Sequence, residues 1–197
     1  MREAASIAGR ILAMNYWVIS DTHFGHARMM EFCGRPEGFE RRIQTNLRAH
    51  LNPSDVLFHL GDICIGDDAY WNERLIYDLP GKKVLIKGNH DRKSTSWYYR
   101  IGWDCVVERL DLEMFGHRLV LSHRPVQEPG NFINIHGHHH NVPHHPEDSV
   151  DDRHRLVCLE HEYRPVTLRS LIERRTGRRQ QKAQLSLPPD PPTQSSE

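Results

Sequence analysis

An α/β fold with mixed sheets is predicted by three observations on this sequence. Short apolar runs of strand length alternate with a helix-period segment in the first half of the chain. In the second half, β-like runs follow one another with turn residues between them. Several of these runs also end in a small or polar residue followed by Asp, Asn or His. Such clusters are expected beyond the carboxyl ends of strands, where open α/β sheets place their sites.

The elements follow in order. Residues 1–14 hold no lasting period and read as an N-terminal extension. Tyr16, Trp17, Val18 and Ile19 form a buried strand, leading into Ser20-Asp21-Thr22-His23. Phe39, Ile43, Leu47 and Leu51 recur every fourth residue, the pattern of a helix with one packed face, and Asn52-Pro53 ends it. A second strand over 56–60 delivers Gly61-Asp62. Asp67 or Asp68 caps a second helix with Trp71, Leu75 and Leu79 inward. Pro80-Gly81 turns the chain into a third strand over 84–86, which ends at Lys87-Gly88-Asn89-His90-Asp91.

Residues 94–101 read as helix, and two β-like stretches follow at 105–112 and 117–121, with Gly116 near a turn. The second ends at Ser122-His123-Arg124-Pro125. Residues 132–135 deliver His136-Gly137-His138-His139-His140. Residues 141–154 carry no period and read as a loop, 156–159 as a last strand. Thr167 caps a helix carrying Leu168, Leu171 and Ile172. Past residue 174 the chain is basic and then Pro-rich, a composition that buries no core and reads as a disordered tail.

A chain of 197 residues suits one domain with a real core. Lys plus Arg and Asp plus Glu both number 26, so the net charge is zero and makes no global case for nucleic acid or membrane. No apolar run approaches the roughly 20 residues of a membrane helix, and residues 1–14 are too interrupted for a signal peptide. The four Cys are far apart with no Cys-x-x-Cys pair, which reads as buried thiols in a reducing, cytoplasmic setting.

Histidine is the unusual count, at 15, six of them from His136 to His145. His144 and His145 read as a solvated loop. His136 is expected to face away from any site and His139 to point outward, while His59, inside a strand, reads as a core histidine. The remaining candidates are Asp21, His23, Asp62, Asn89, His123, His138 and His140, with His90 beside them. Oxygen and nitrogen ligands without thiolate suit Mn²⁺, Fe, Co²⁺, Ni²⁺ or Zn²⁺. In extended backbone, residues two apart share a side, so Asp21 and His23 are expected to chelate as a pair. Seven ligands exceed one tetrahedral ion and suit two ions sharing a carboxylate, for which Asp62 is the natural bridge. Two such ions clamp phosphoryl oxygens and generate a nucleophile from water near neutral pH.

Asp21-x-His23, Gly61-Asp62, Gly88-Asn89-His90-Asp91, His123 and Gly137-His138-x-His140 together resemble the full signature of the calcineurin-like metallophosphoesterases, in a compact bacterial-type form. The resemblance implies two mixed β-sheets flanked by helices, an αββα sandwich, over residues 15–173, with 1–14 as extension and 174–197 as tail. It assigns Asp21, His23, Asp62 and His140 to one metal, and Asp62, Asn89, His123 and His138 to the other, with manganese the leading choice. His90 would stabilise the transition state or protonate the leaving oxygen. His26 and Arg124, next to ligands, are candidate substrate contacts, arginine suiting bidentate phosphate binding. Asp91 either caps the following helix or tunes the site.

One position departs from the family. The protein-phosphatase branch has an Asp three residues after the bridging Asp to orient its catalytic His, and this chain has Ile65 there. The activity implied is hydrolysis of phosphodiesters, nucleotide or nucleic-acid in type, by attack of a metal-bridging hydroxide. Phosphomonoesterase action on small molecules and a non-catalytic metal-binding scaffold are the alternatives. Nucleic acid as partner rests on Arg164, Arg169, Arg174, Arg175, Arg178, Arg179 and Lys182, opposed by Glu173 alone. Without interleaved aromatics this run reads first as a solvated face.

Overall fold

The computed structural model describes residues 14–127, 130–142 and 150–174. The extension before residue 14, His144 and His145, and the tail from residue 175 lie outside the described residues. The fold is α/β, with two mixed sheets flanked by helices. The first sheet holds β1 (Tyr16–Ile19), β2 (Val56–His59), β3 (Lys82–Ile86) and β4 (Cys105–Val107), all parallel, closed by antiparallel β9 (Val166–Thr167) beside β1. The second runs β5 (Arg109–Met114), β6 (His117–Ser122), β7 (Ile133–His136) and β8 (His154–Leu156). There β5 and β6 form an antiparallel hairpin, and β6, β7 and β8 are parallel. Phe115 and Gly116 make the hairpin turn, both at positive φ, as a two-residue turn matched to strand twist requires.

Neighbouring residues of the first sheet point into two cores. Ile19, Leu57 and Leu85 join a cluster with Met29, Ile43, Leu47, Leu75 and Tyr98 of the helices. Those helices are α1 (Met29–Cys33), α2 (Phe39–His50), α3 (Asp68–Tyr77) and α4 (Thr95–Ile101). Val18, Phe58 and Ile86 face the other way, packing on Leu119, Leu121 and Ile135 of the second sheet and on α5 (Leu168–Glu173). A sheet covered on both faces requires unbroken apolar runs, which is why the first strands carry no polar alternation. Capping follows the sequence: Asp67, Ser94 and Thr167 each accept a backbone N–H of the helix that follows.

Three expectations need correcting, and one short helix went unpredicted. The stretch 105–112 is two strands in different sheets, broken at Glu108, where the chain leaves β4. β8 starts at His154, inside the expected loop; Cys158 and Leu159 fall outside it, Leu159 opening a single 3₁₀ turn, Leu159–His161. The last strand is β9, two residues long and too short to leave a pattern. Helix α1 has five residues, fewer than two turns, so no period announces it. All four cysteines are free. Among the described residues, no helix is long and apolar enough to cross a membrane.

Candidate metal centre

The expected ligands come together at the carboxyl ends of β1, β2, β3, β6 and β7, just where each apolar run stops. The loops after β1 and β2 continue to pair through their main chains, Asp21 N donating to Gly61 O, His23 N to Asp62 O and Phe24 N to Ile63 O. Asp21, His23, Asp62, His138 and His140 all have φ between 45° and 72°. Left-handed backbone is uncommon outside glycine, and strain of this kind collects at functional sites. Asp21 and His23 therefore converge through a turn rather than through the alternation of an extended segment.

Two groups of possible ligand atoms result, each within 4.8 Å: Asp21, His23 and His140, and Asp62, His123 and His138. Asp62 Oδ2 lies 3.6 Å from His23 Nε2 and 3.4 Å from His123 Nε2, so it faces both groups. His123 Nε2 is 3.1 Å from both Asn89 Oδ1 and His138 Nδ1. Each buried Asp divides its two oxygens. Asp21 Oδ2 accepts the backbone N–H of His138 at 2.9 Å, while its Oδ1 is buried with no hydrogen-bond partner. Asp62 Oδ1 accepts the N–H of His90 at 2.9 Å, leaving Oδ2 toward the imidazoles. His23 Nδ1 is buried and unsatisfied as well. Buried polar atoms generally find a partner, and a cluster of buried carboxylate and imidazole donors this close together fits divalent cations.

Electrostatics agree with that fit. Burial drives the Asp21 carboxyl above its ordinary range, only partly opposed by His123 and His140. Burial would also raise Asp62, but the hydrogen bond and charge of His123 outweigh it and hold Asp62 low. Burial works against charge on His123, yet its hydrogen bond to Asp62 and the Asp21 carboxylate lift it to about 9. For His140 burial is again overcome, by hydrogen bonds to Cys33 and Glu160, and the ring rises to about 10. His23 and His138 are pushed down to about 2 and about 4, chiefly by burial. Without metal, protons on His123 and His140 balance the buried carboxylates, a part that divalent cations would take over.

Among the other predicted residues, His90 is a third exposed, its Nε2 3.9 Å from Asp62 Oδ2. Its ring meets His23 edge-on at 5.4 Å. His26 stands outside His23, with ring centroids 5.5 Å apart, and Arg124 is exposed near enough to His138 to help lower its pKa. His59 is a core histidine: Nδ1 accepts from Gly61 N at 3.2 Å, and Nε2 lies 3.0 Å from Thr22 Oγ1. His136 is buried away from the ligands, against His154. His139 does not point outward; it is buried and packs on His136, because the loop turns back after Gly137.

Asp91 serves the site rather than a helix. Its carboxylate accepts from Asp62 N at 2.7 Å, Gly88 N at 2.8 Å and Ile63 N at 3.1 Å, joining the loops of β2 and β3. Arg35 and Glu160 were not anticipated. Arg35 Nη2 is 2.6 Å from Glu160 Oε1 and Glu160 Oε1 is 3.0 Å from His140 Nδ1, with the Arg35 and Glu160 side chains out of solvent and His140 partly buried. Both residues are isolated in sequence from every motif, so no spacing marks them.

The family description of the calcineurin-like phosphoesterases matches residues 14–174. The chain belongs to that family. It is therefore a metal-dependent phosphoesterase by membership, and the ligand groups above are its candidate metal sites. An uncharacterized protein of Methanocaldococcus jannaschii is 30% identical over 132 residues, which cover 63% of this chain and 68% of that one. The gene 66 protein of Mycobacterium phage L5 is 38% identical over 82 residues, 39% of this chain and 40% of the phage protein. A solved structure, a protein of unknown function from Aquifex aeolicus, superposes with a TM-score of 0.62 at 27% identity, covering 81% of this chain and 98% of that one.

Proposed function

We propose that residues 15–173 form a dinuclear phosphodiesterase whose two divalent ions, manganese first among them, share Asp62. The observation that carries this is the position of Asp62 Oδ2, 3.6 Å from His23 and 3.4 Å from His123, between the two ligand groups. Asp21, His23, Asp62 and His140 hold one ion; Asp62, Asn89, His123 and His138 hold the other. The bound pair supplies Lewis acidity to the phosphoryl oxygens and an activated water as nucleophile. The chain itself contributes orientation: Asp91 and His90 N fix Asp62, Asp21 fixes His138, and Leu60 O takes the His123 Nδ1 proton at 2.8 Å, turning Nε2 inward.

His90, partly exposed beside Asp62, is the group placed to donate a proton or hydrogen bond to the departing oxygen. Arg124 and His26, on either side of the ligand groups, are the proposed contacts for the non-transferred phosphate oxygens and the ester substituent. A diester of nucleotide or nucleic-acid type is favoured because Ile65 leaves His90 without the acidic partner of the protein-phosphatase branch.

The test is hydrolysis of bis-p-nitrophenyl phosphate and of p-nitrophenyl phosphate by chelated protein reloaded with Mn²⁺, beside His90→Ala. Metal-dependent diester turnover, reduced about 10²–10⁴-fold in His90→Ala as for loss of a general acid, is the expected result. Monoester turnover alone would replace the diesterase reading with a phosphomonoesterase. Two bound ions with neither ester cleaved would favour a scaffold.

A further inference from the structure

Arg35 and Glu160 form a buried unit on one side of the site only. The guanidinium divides its donors. Nη1 donates to Thr22 O at 2.8 Å, Nη2 to Asp21 O at 2.7 Å, and Nε and Nη2 to Glu160 Oε1 at 3.0 and 2.6 Å. Glu160 Oε1 in turn accepts the Nδ1 proton of His140 at 3.0 Å. That donation leaves His140 Nε2 directed at Asp21 Oδ1, 3.8 Å away. One arginine thus holds the 21–23 turn, in which Asp21 and His23 are left-handed, and its carboxylate partner holds the third residue of the same group. Asp62, His123 and His138 take their support elsewhere, from Asp91, His90 N, Leu60 O and Asp21.

Cys33, His140 and Glu160 also lie close enough together to suggest a cation site of their own. Arg35 excludes it, because a guanidinium 2.6 Å from Glu160 Oε1 stands where that cation would need the carboxylate. Nor is the unit a plausible source of fold stability alone, since replacing a buried ion pair by apolar groups is often neutral or stabilising.

We infer that Glu160 and Arg35 are positioning residues that set the affinity of one metal ion, the one held by Asp21, His23 and His140, and reach the other ion's ligands only indirectly, through the bond from His138 N to Asp21. The physical basis is the carboxylate–histidine–metal relay. A carboxylate on the far ring nitrogen fixes the tautomer and ring angle and makes the near nitrogen a better donor; such partners are worth about 10–100-fold in metal affinity. Arg35 adds the complementary half by keeping Asp21 and His23 in a backbone conformation that they would not otherwise hold.

The inference rests on the dinuclear reading above, and its test separates the two. Mn²⁺ binding to the full chain is measured by equilibrium dialysis and followed by electron paramagnetic resonance, without substrate, for wild type, Glu160→Gln and Arg35→Lys. Wild type should bind two ions. Glu160→Gln should bind one at wild-type affinity and the second about 10–100-fold more weakly, with the signal of a coupled pair replaced by that of a single ion at intermediate Mn²⁺. Arg35→Lys keeps the charge but loses the fork, and should weaken the same ion; it serves also if Glu160→Gln fails to fold. Equal weakening of both ions would mark a structural role and overturn the inference, as would two wild-type affinities in both variants. A wild type that binds no ion would overturn the dinuclear reading itself.

Discussion

Gly88→Ala tests how closely the centre depends on the position of the Asp62 carboxylate. Gly88 does not have a positive φ, so alanine faces no backbone penalty there. A Cβ at this position would stand 2.2 Å from Asp62 Oδ1 and 2.6 Å from Asp62 N, where ordinary contact begins at 3.4 Å. The carboxylate must withdraw by about 1 Å, a displacement that can cost about 10²-fold in rate at a catalytic centre. Withdrawal also removes Oδ1 from His90 N, so the proposed shared ligand and the proposed proton donor are misplaced together. Overpacking of this kind costs about 1–3 kcal/mol, and in a domain of this size each kcal/mol lowers Tm by about 2–4 °C. The assay is Mn²⁺-dependent turnover of a chromogenic phosphate ester alongside Mn²⁺ affinity and thermal unfolding. The expected result is a folded protein with modestly lower Tm, weakened binding of both ions and about 10²-fold less turnover. Wild-type metal affinity and turnover in a folded Gly88→Ala protein would refute the claim that Asp62 is shared.

Three further outcomes are expected. His123 and His140, lifted to about 9 and about 10, carry protons at pH 7 without metal and must yield them at the coordinating nitrogens. Metal binding should therefore release protons and tighten as pH rises toward 9, measured by calorimetry in buffers of different ionisation enthalpy; binding without proton release would contradict this. Asp91→Asn offers one acceptor oxygen in place of two to Asp62 N, Gly88 N and Ile63 N. It should cost about 1–3 kcal/mol for each buried donor left unsatisfied, seen in urea unfolding, and should lower metal-dependent turnover. Asp55 is remote from the centre: burial would raise its pKa, but Asn15 N, Asn52 N and the Trp17 indole lower it overall. A depressed carboxylate stabilises above its unfolded pKa and ceases to do so as pH falls through the folded one. Asp55→Asn should thus be destabilised at pH 7 by about 1–3 kcal/mol, begin to converge with wild type only as pH falls below the ordinary carboxylate value of about 3.9, and keep wild-type metal affinity.

Much of this molecule is legible in its sequence, for a physical reason. Residues that must be apolar to fill a sheet covered on both faces stand next to residues that must be polar to coordinate at its edge, so the boundary is abrupt at Ile19-Ser20-Asp21 and Ile86-Lys87-Gly88. Helix α2 shows itself because one face packs on β-strands and the other is solvated. Short elements do not. Helix α1 and strand β9 are set by what they pack against, and two or five residues are too few for a period. Arg35 and Glu160 escape pattern reading for another reason. A ligand's type is constrained by the metal, whereas a supporting residue is constrained only by the one group it reaches in space.

The separation of proposed ligands from supports also explains how strained backbone persists at five of the proposed ligand positions. An Asp or His held in the left-handed region is costly unless neighbouring contacts over-determine it. Each of the three loops concerned is fastened to another. Arg35 takes two consecutive carbonyls of the first, Asp91 takes two consecutive amides of the second, and Asp21 Oδ2 with Glu160 secures the third through His138 N and His140. Asp21 among these fastenings is itself a proposed ligand, and Asp62 behaves alike toward His90 N: each spends one oxygen on a backbone amide and leaves the other facing the imidazoles. Charge at the centre and strain in the loops are consequently coupled: neutralising Asp21 or Asp62 would weaken the amide bond as well as the metal site. Substitution of Asp62 by Asn should therefore lower the stability of the metal-free protein more than His138→Gln, whose side chain loses only its contact with His123 and takes no backbone group. Equal apo stabilities in urea for Asp62→Asn and wild type would break that coupling.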